Sequence, residues 1–136
     1  MTKTLIISFI FLSVVFFIID FIWLSITVKS LYRPALSNLL NDKPVIWAAG
    51  LFYIIYTIGV TLIILKPALI NDSIFQALWT GTVFGIVAYG TYNLTNMAII
   101  KNWSSNIVWI DMIWGGILTG FASSISIYLT KTFFSN

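Results

Sequence analysis

The chain reads as four long apolar runs separated by short polar connections, at about residues 4–28, 45–65, 74–98 and 106–130. Roughly 20 apolar residues are needed for a helix to cross the hydrocarbon core of a bilayer, and each run reaches that length. None alternates as a barrel strand does. A spanning segment must be helical or part of a closed barrel, because no water is available to satisfy free backbone groups. The pattern therefore predicts an all-α integral membrane protein, a four-helix bundle. The first run follows "MTK", as a signal peptide's core would, but it is too long for one and no small-x-small cleavage site follows. It is expected to remain as a helix.

The connections "KSLYRPALSNLLNDKP", "KPALIND" and "IKNWSSN" are too short to separate domains, so residues 1–136 read as a single transmembrane domain. In the first of them Pro34 suits a helical first turn, and Leu36, Leu39 and Leu40 can share a face. That predicts a brief separate helix lying in the interface. The one repeat read along the chain is Asp-x-x-Trp, in "FIIDFIWL" and again in "IDMIWGG".

Polar and small residues inside the runs fall at helical spacing. In the fourth run Asp111, Gly115, Thr119, Ala122 and Ser126 form one stripe. Ser13, Asp20 and Thr27 recur along the first, and Gly81, Gly85, Ala88, Tyr92 and Asn96 along the third. Gly81/Gly85 and Gly116/Gly120 make Gly-x-x-x-Gly, which lets backbones approach closely in a membrane and points first to plain packing. Asp20 precedes the end of its run by about as much as Asp111 follows the start of its own. Those ends emerge on the same side, so both carboxylates are expected roughly 8–12 Å below one surface.

Composition narrows the chemistry. Of 136 residues 60% are hydrophobic and 8% charged, too few charges to cover a soluble surface. Histidine, cysteine and glutamate are absent, which removes thiolate and imidazole metal sites, disulfides and histidine-dependent triads and leaves no call for a cofactor. The seven Lys and Arg are scattered, giving neither a nucleic-acid patch nor a polybasic lipid-binding segment. Lys29, Arg33, Lys43 and Lys101 share one side, and Lys3, Lys66 and Lys131 the other. This slight excess leans towards a cytoplasmic first loop.

An ionised Asp within the bilayer costs a few kcal/mol on insertion scales, so Asp20 and Asp111 should face the bundle interior, a water-filled cavity or hydrogen-bond donors. Tyr53, Tyr89, Tyr92, Asn93, Asn96, Thr95, Trp23 and Trp114 are available as donors, with Tyr56 nearby. Such buried polar groups can also serve only as interhelical links that fix register. Two acids at matched depth beside "YGTYNLTN" favour a site, with Trp23 and Trp114 as walls. Trp47, Trp79 and Trp103, near the run ends, are expected to be interfacial belt residues.

"FIIDFIWL", "FYIIY" with Gly59 after it, "YGTYNLTNMA", the following Trp103 and "IDMIWGG" together resemble the ordered motifs of a bacterial family of short four-helix inner-membrane proteins, catalogued as domain of unknown function 2177. The resemblance runs from Asp20 to Gly115 and implies the fold and a multi-pass location in the bacterial inner membrane. It implies no activity. That family usually has Asp where this chain has Asn93, which removes one carboxylate from any proton or cation role. The first reading is a protein that binds a small molecule or lipid headgroup in a half-buried pocket, as an accessory to envelope lipid metabolism. The pocket would use Asp20, Trp23, Tyr53, Tyr56, Tyr89, Tyr92, Asn93, Asn96, Asp111 and Trp114. A proton-coupled carrier with the two Asp as a titrating pair is the second, and four helices being few, it would need a homodimer. A structural accessory subunit is the third. An enzyme is the least favoured, given the residue types missing.

Overall fold

The computed structural model describes residues 1–134, and four long helices account for nearly all of them. They are α1 (Thr2–Leu36), α2 (Ile46–Ile70), α3 (Ile74–Ile99) and α4 (Ser105–Phe134). Successive helices run antiparallel, as connections this short require. Three of them, α1, α2 and α4, are long and apolar enough to cross a membrane by length and composition. The 26-residue α3 is as long, but Gln76, its Thr and Gly residues, Asn93 and Asn96 dilute its apolar character. The tight turns at 71–73 and 100–104 tie its two ends to opposite ends of the bundle, so α3 runs alongside its neighbours. Its small-residue face lies against α4.

Asp72 and Asn102 take left-handed backbone conformations, φ 51° and 64°, at the turns that end α2 and α3. Their short polar side chains tolerate that region better than others do. The Ser73 hydroxyl accepts the Gln76 amide at 3.0 Å and so caps the start of α3.

The chain departs from its sequence pattern at its prolines. No separate interfacial helix forms at residues 33–40; α1 instead continues through Val28–Tyr32 as a wide π-helical turn and ends at Leu36. The Arg33 amide donates to the Val28 carbonyl, five residues back. The same device recurs in α2, where the Lys66 amide reaches the Thr61 carbonyl just before Pro67. A proline in an ordinary helix lacks an amide donor and drives its ring into the carbonyl four residues back. A π turn directly before it absorbs both problems. Arg33-Pro34-Ala35-Leu36 and Lys66-Pro67-Ala68-Leu69 are thus a second internal repeat, additional to Asp-x-x-Trp. At 1.5 Å per residue α1 is about 50 Å long against a hydrocarbon core of about 30 Å. It is therefore longer than an untilted span needs.

The tightest packing joins α3 to α4. A Cβ at Gly81 would stand 3.0 Å from the Thr119 carbonyl oxygen and 3.1 Å from the Gly120 Cα, and one at Gly85 would overlap the Gly115 backbone. Small residues are required there because helix association within lipid draws on close packing and hydrogen bonds, the surrounding tails being as apolar as leucine. The core runs through Leu12 and Phe16 of α1, Val60 and Leu65 of α2, Ala77 of α3, and Leu118 and Ala122 of α4. Polar links between helices reinforce it. The Ser8 and Thr130 hydroxyls lie 2.8 Å apart, Ser126 donates to the Ser8 carbonyl at 2.6 Å, and the Tyr56 and Thr119 hydroxyls meet at 2.8 Å. The predicted α4 stripe is the inward face: Gly115, Thr119, Ala122 and Ser126 are all buried.

Candidate functional site

All four helices converge on a cavity of about 720 Å³ at the end of the bundle where α1 and α3 finish and α2 and α4 begin. Asp20 sits on α1, buried to 6% exposure. One of its carboxylate oxygens accepts the Tyr53 hydroxyl, and the other accepts the Trp114 indole N–H at 3.2 Å. Asp111, on the α4 wall, accepts the Tyr32 hydroxyl at 2.7 Å through Oδ1 and the Asn93 amide at 2.6 Å through Oδ2. Each carboxylate is therefore held by one neutral donor per oxygen. That is about half of what a carboxylate can accept.

The two acids do not bond to each other. Between them lies a pair of stacked indoles, Trp23 and Trp114, with centroids 4.2 Å apart and planes within 8°. Trp114 donates to Asp20, and Trp23 donates at 3.2 Å to the Tyr32 hydroxyl that in turn holds Asp111. Both Asp-x-x-Trp units thus contribute an acid and a ring to one network. Among the described residues the one ion pair, Lys131 to Asp72 at 2.6 Å, is at the opposite end of the bundle. No basic side chain pairs with Asp20 or Asp111 at that range.

Of the sequence-predicted residues, Asp20, Trp23, Tyr56, Tyr89, Tyr92, Asn93, Asp111 and Trp114 line the cavity. Tyr53 is not on the wall but donates its hydroxyl to Asp20, and Asn96 lies outside the wall. The inward face of α3 is wider than the predicted stripe. Ala88 and Tyr92 of that stripe line the cavity, Asn96 does not, and the row Gly85, Tyr89, Asn93 also turns inward, with Asn93 fully buried and Tyr92 57% exposed. Gly115 makes room for that second row. The Tyr89 ring packs where a Gly115 Cβ would otherwise be, which seats that i+4 row against α4.

Trp103 does more than was expected of it. It lines the cavity in an edge-to-face contact with Tyr92, centroids 5.8 Å apart, and its indole nitrogen is buried without a partner. Trp47 and Trp79, at 74% and 52% exposure, do occupy the outer surface. Tyr32 and Arg33 were not legible as site residues, because Tyr32 ends the π turn that carries α1 over the cavity and Arg33 directly follows it.

Asn93 completes the picture. Its Nδ2 donates to the Tyr89 carbonyl at 2.9 Å and to Asp111, which uses both amide hydrogens and fixes which way the group points. Its Oδ1, in a side chain on the cavity wall, is buried and has no partner. The cavity is thus lined, between aromatic walls, by carboxylates with spare capacity and by Asn93 and Trp103, whose buried amide oxygen and indole N–H have no partner.

Fold and site together define a polytopic α-helical membrane protein with a polar, aromatic-walled cavity at one end. The chain belongs to the family described as predicted membrane protein (DUF2177), which matches residues 5–128. No curated protein and no solved structure matches it.

Proposed function

We propose that this membrane protein binds a small molecule or lipid headgroup in the cavity between Asp20 and Asp111. The observation that carries this reading is the buried, unpartnered Oδ1 of Asn93, a residue that lines the cavity. An orphaned buried acceptor costs about 1–3 kcal/mol, and a purely structural network would be expected to close on itself. The volume supports the reading too, since about 720 Å³ falls within the roughly 300–1,000 Å³ of small-molecule sites. Four helices each give at least one side chain to the site, far more than fixing helix register requires.

The test is native mass spectrometry of the chain ejected from nanodiscs formed directly from the membrane, wild type beside Asp111→Asn. The expected result is a defined bound molecule on the wild type that is missing from the variant, with both eluting as the same folded species. Identical spectra carrying bulk lipid alone would reduce Asp111 to a packing link. Proteoliposome flux then separates binding from transport: a binding protein retains the molecule without moving it.

A further inference from the structure

The charge and the free hydrogen-bonding groups of the cavity specify what kind of molecule fits it; this rests on the reading above that the cavity holds a ligand. We infer that the ligand carries a primary ammonium joined by a short linker to a phosphate ester, the chemistry of an ethanolamine phosphate headgroup.

The ammonium end follows from Asp20, Asp111 and Asn93. The two carboxylates accept only neutral donors, and no basic side chain among the described residues pairs with them. A bound cation supplies the missing charge, and the faces of the stacked Trp23 and Trp114 and of the neighbouring tyrosines suit it further. Asn93 Oδ1 then distinguishes between cations. It needs an N–H donor, and its own amide hydrogens are already committed to Tyr89 and Asp111. A primary ammonium provides that donor. A quaternary ammonium has none, and seating one there would leave a buried acceptor unsatisfied.

The phosphate end follows from Arg33 and Trp103. Arg33 is the one basic residue on the cavity wall, and the buried Trp103 indole N–H lacks an acceptor. Arg33 lies in the last helical turn of α1 and Trp103 in the connection before α4, both at the end of the bundle where α1 and α3 finish. A guanidinium offers two parallel donors to a phosphate, and the indole adds a third. Apolar Leu36, Leu40 and Pro44, which follow Arg33 in the chain, also line the cavity and suit the glycerol and upper acyl chain of a lipid. The same chemistry occurs in a membrane aminophospholipid and in a soluble phosphoethanolamine ester.

The experiment places the full-length chain in phosphatidylglycerol nanodiscs containing equal trace amounts of phosphatidylethanolamine and phosphatidylcholine, and reads bound lipid by native mass spectrometry. The expected result is a preference of about tenfold or more for phosphatidylethanolamine over phosphatidylcholine, as one unsatisfied buried acceptor implies. Arg33→Gln, at an exposed position, should lower that occupancy by about tenfold while the variant elutes as the same folded species as the wild type. Competition with glycerophosphoethanolamine separates the sources. Displacement of the lipid shows that the headgroup alone suffices, and failure to displace assigns the site to the membrane lipid; either supports the inference. Equal retention of the two lipids overturns it, as does full retention in Arg33→Gln. If instead a different defined molecule binds the wild type and is lost in Asp111→Asn, the ligand chemistry is overturned while the cavity reading stands. If nothing binds, both fall.

Discussion

At the scale of single residues, Tyr32 carries more than its place in the sequence implies. Its hydroxyl donates to Asp111 and accepts from Trp23, so Tyr32→Phe leaves an acceptor oxygen and an indole N–H each short of a partner. A loss of about 1–3 kcal/mol is expected, read as a lower thermal-aggregation midpoint in one detergent, together with weaker retention of the bound molecule. An unchanged midpoint would mean that water replaces the hydroxyl. Asp111→Asn differs in kind. The isosteric amide can accept from only one of the two donors, for a modest stability cost of about 0.5–2 kcal/mol, while removing the charge lowers ligand affinity by about 10- to 100-fold. The carboxylates and their donors were legible in the sequence as types, since an Asp in an apolar run has few places to go. Tyr32, Arg33 and Trp103 were not, because each sits next to a feature, Pro34 or a run end, that ordinarily marks the boundary of a helix. Asn93 was legible as a donor. Its free oxygen could be seen only once the partners of its amide were known.

At the scale of helices, the glycines of α3 and α4 divide into those that are required and those that are not. Gly85→Leu would drive a side chain into the Gly115 backbone, for which overpacking costs of about 1–3 kcal/mol are a lower guide. Gly59 of α2 has nothing within 4 Å of a Cβ, so Gly59→Ala should be neutral or stabilise by about 0.5–1 kcal/mol. Comparing the two midpoints checks the packing account, and equal effects would contradict it. Pro34→Ala probes the π turn. With an amide restored at residue 34, α1 can close into an ordinary helix, which rotates Tyr32 and Arg33 about the axis. The expected outcome is a bundle of undiminished stability that no longer holds its ligand; a variant with wild-type occupancy would show that the turn has no part in the site. The positions of the four helices followed directly from the apolar runs. Where α1 and α2 end did not, because a proline after a basic residue reads as a stop, and only the three-dimensional path shows a π turn carrying the helix through it. On α3 the spacing pointed to the row through Ala88, Tyr92 and Asn96, and the inward turn of Tyr89 and Asn93 depends on the absence of a side chain at Gly115, on another helix.

At the scale of the whole molecule, stability and occupancy are linked. The cavity separates the four helix ends on one side, while the other side is tied by the Ser8–Thr130 link and the Lys131–Asp72 pair. A ligand that binds only the folded bundle stabilises it by mass action, about 2.7 kcal/mol at a hundred times its Kd. Exhaustive delipidation should therefore lower the thermal midpoint of the wild type and leave that of Asp111→Asn nearly unmoved. Breaking the exposed Lys131–Asp72 pair should do little in either, as surface pairs generally contribute little.

The most direct measurement uses the fact that the chain has no cysteine of its own. Ala88→Cys places a single thiol on the cavity wall, and Val87→Cys places one on the outer face, where Val87 is 61% exposed. Labelling with a small methanethiosulfonate reports access to each thiol. An occupied cavity predicts slow modification at residue 88 in native nanodiscs, acceleration after the bound molecule is stripped or in the Asp111→Asn background, and no such change at residue 87. Equal labelling at residue 88 before and after stripping, in both backgrounds, would contradict the account.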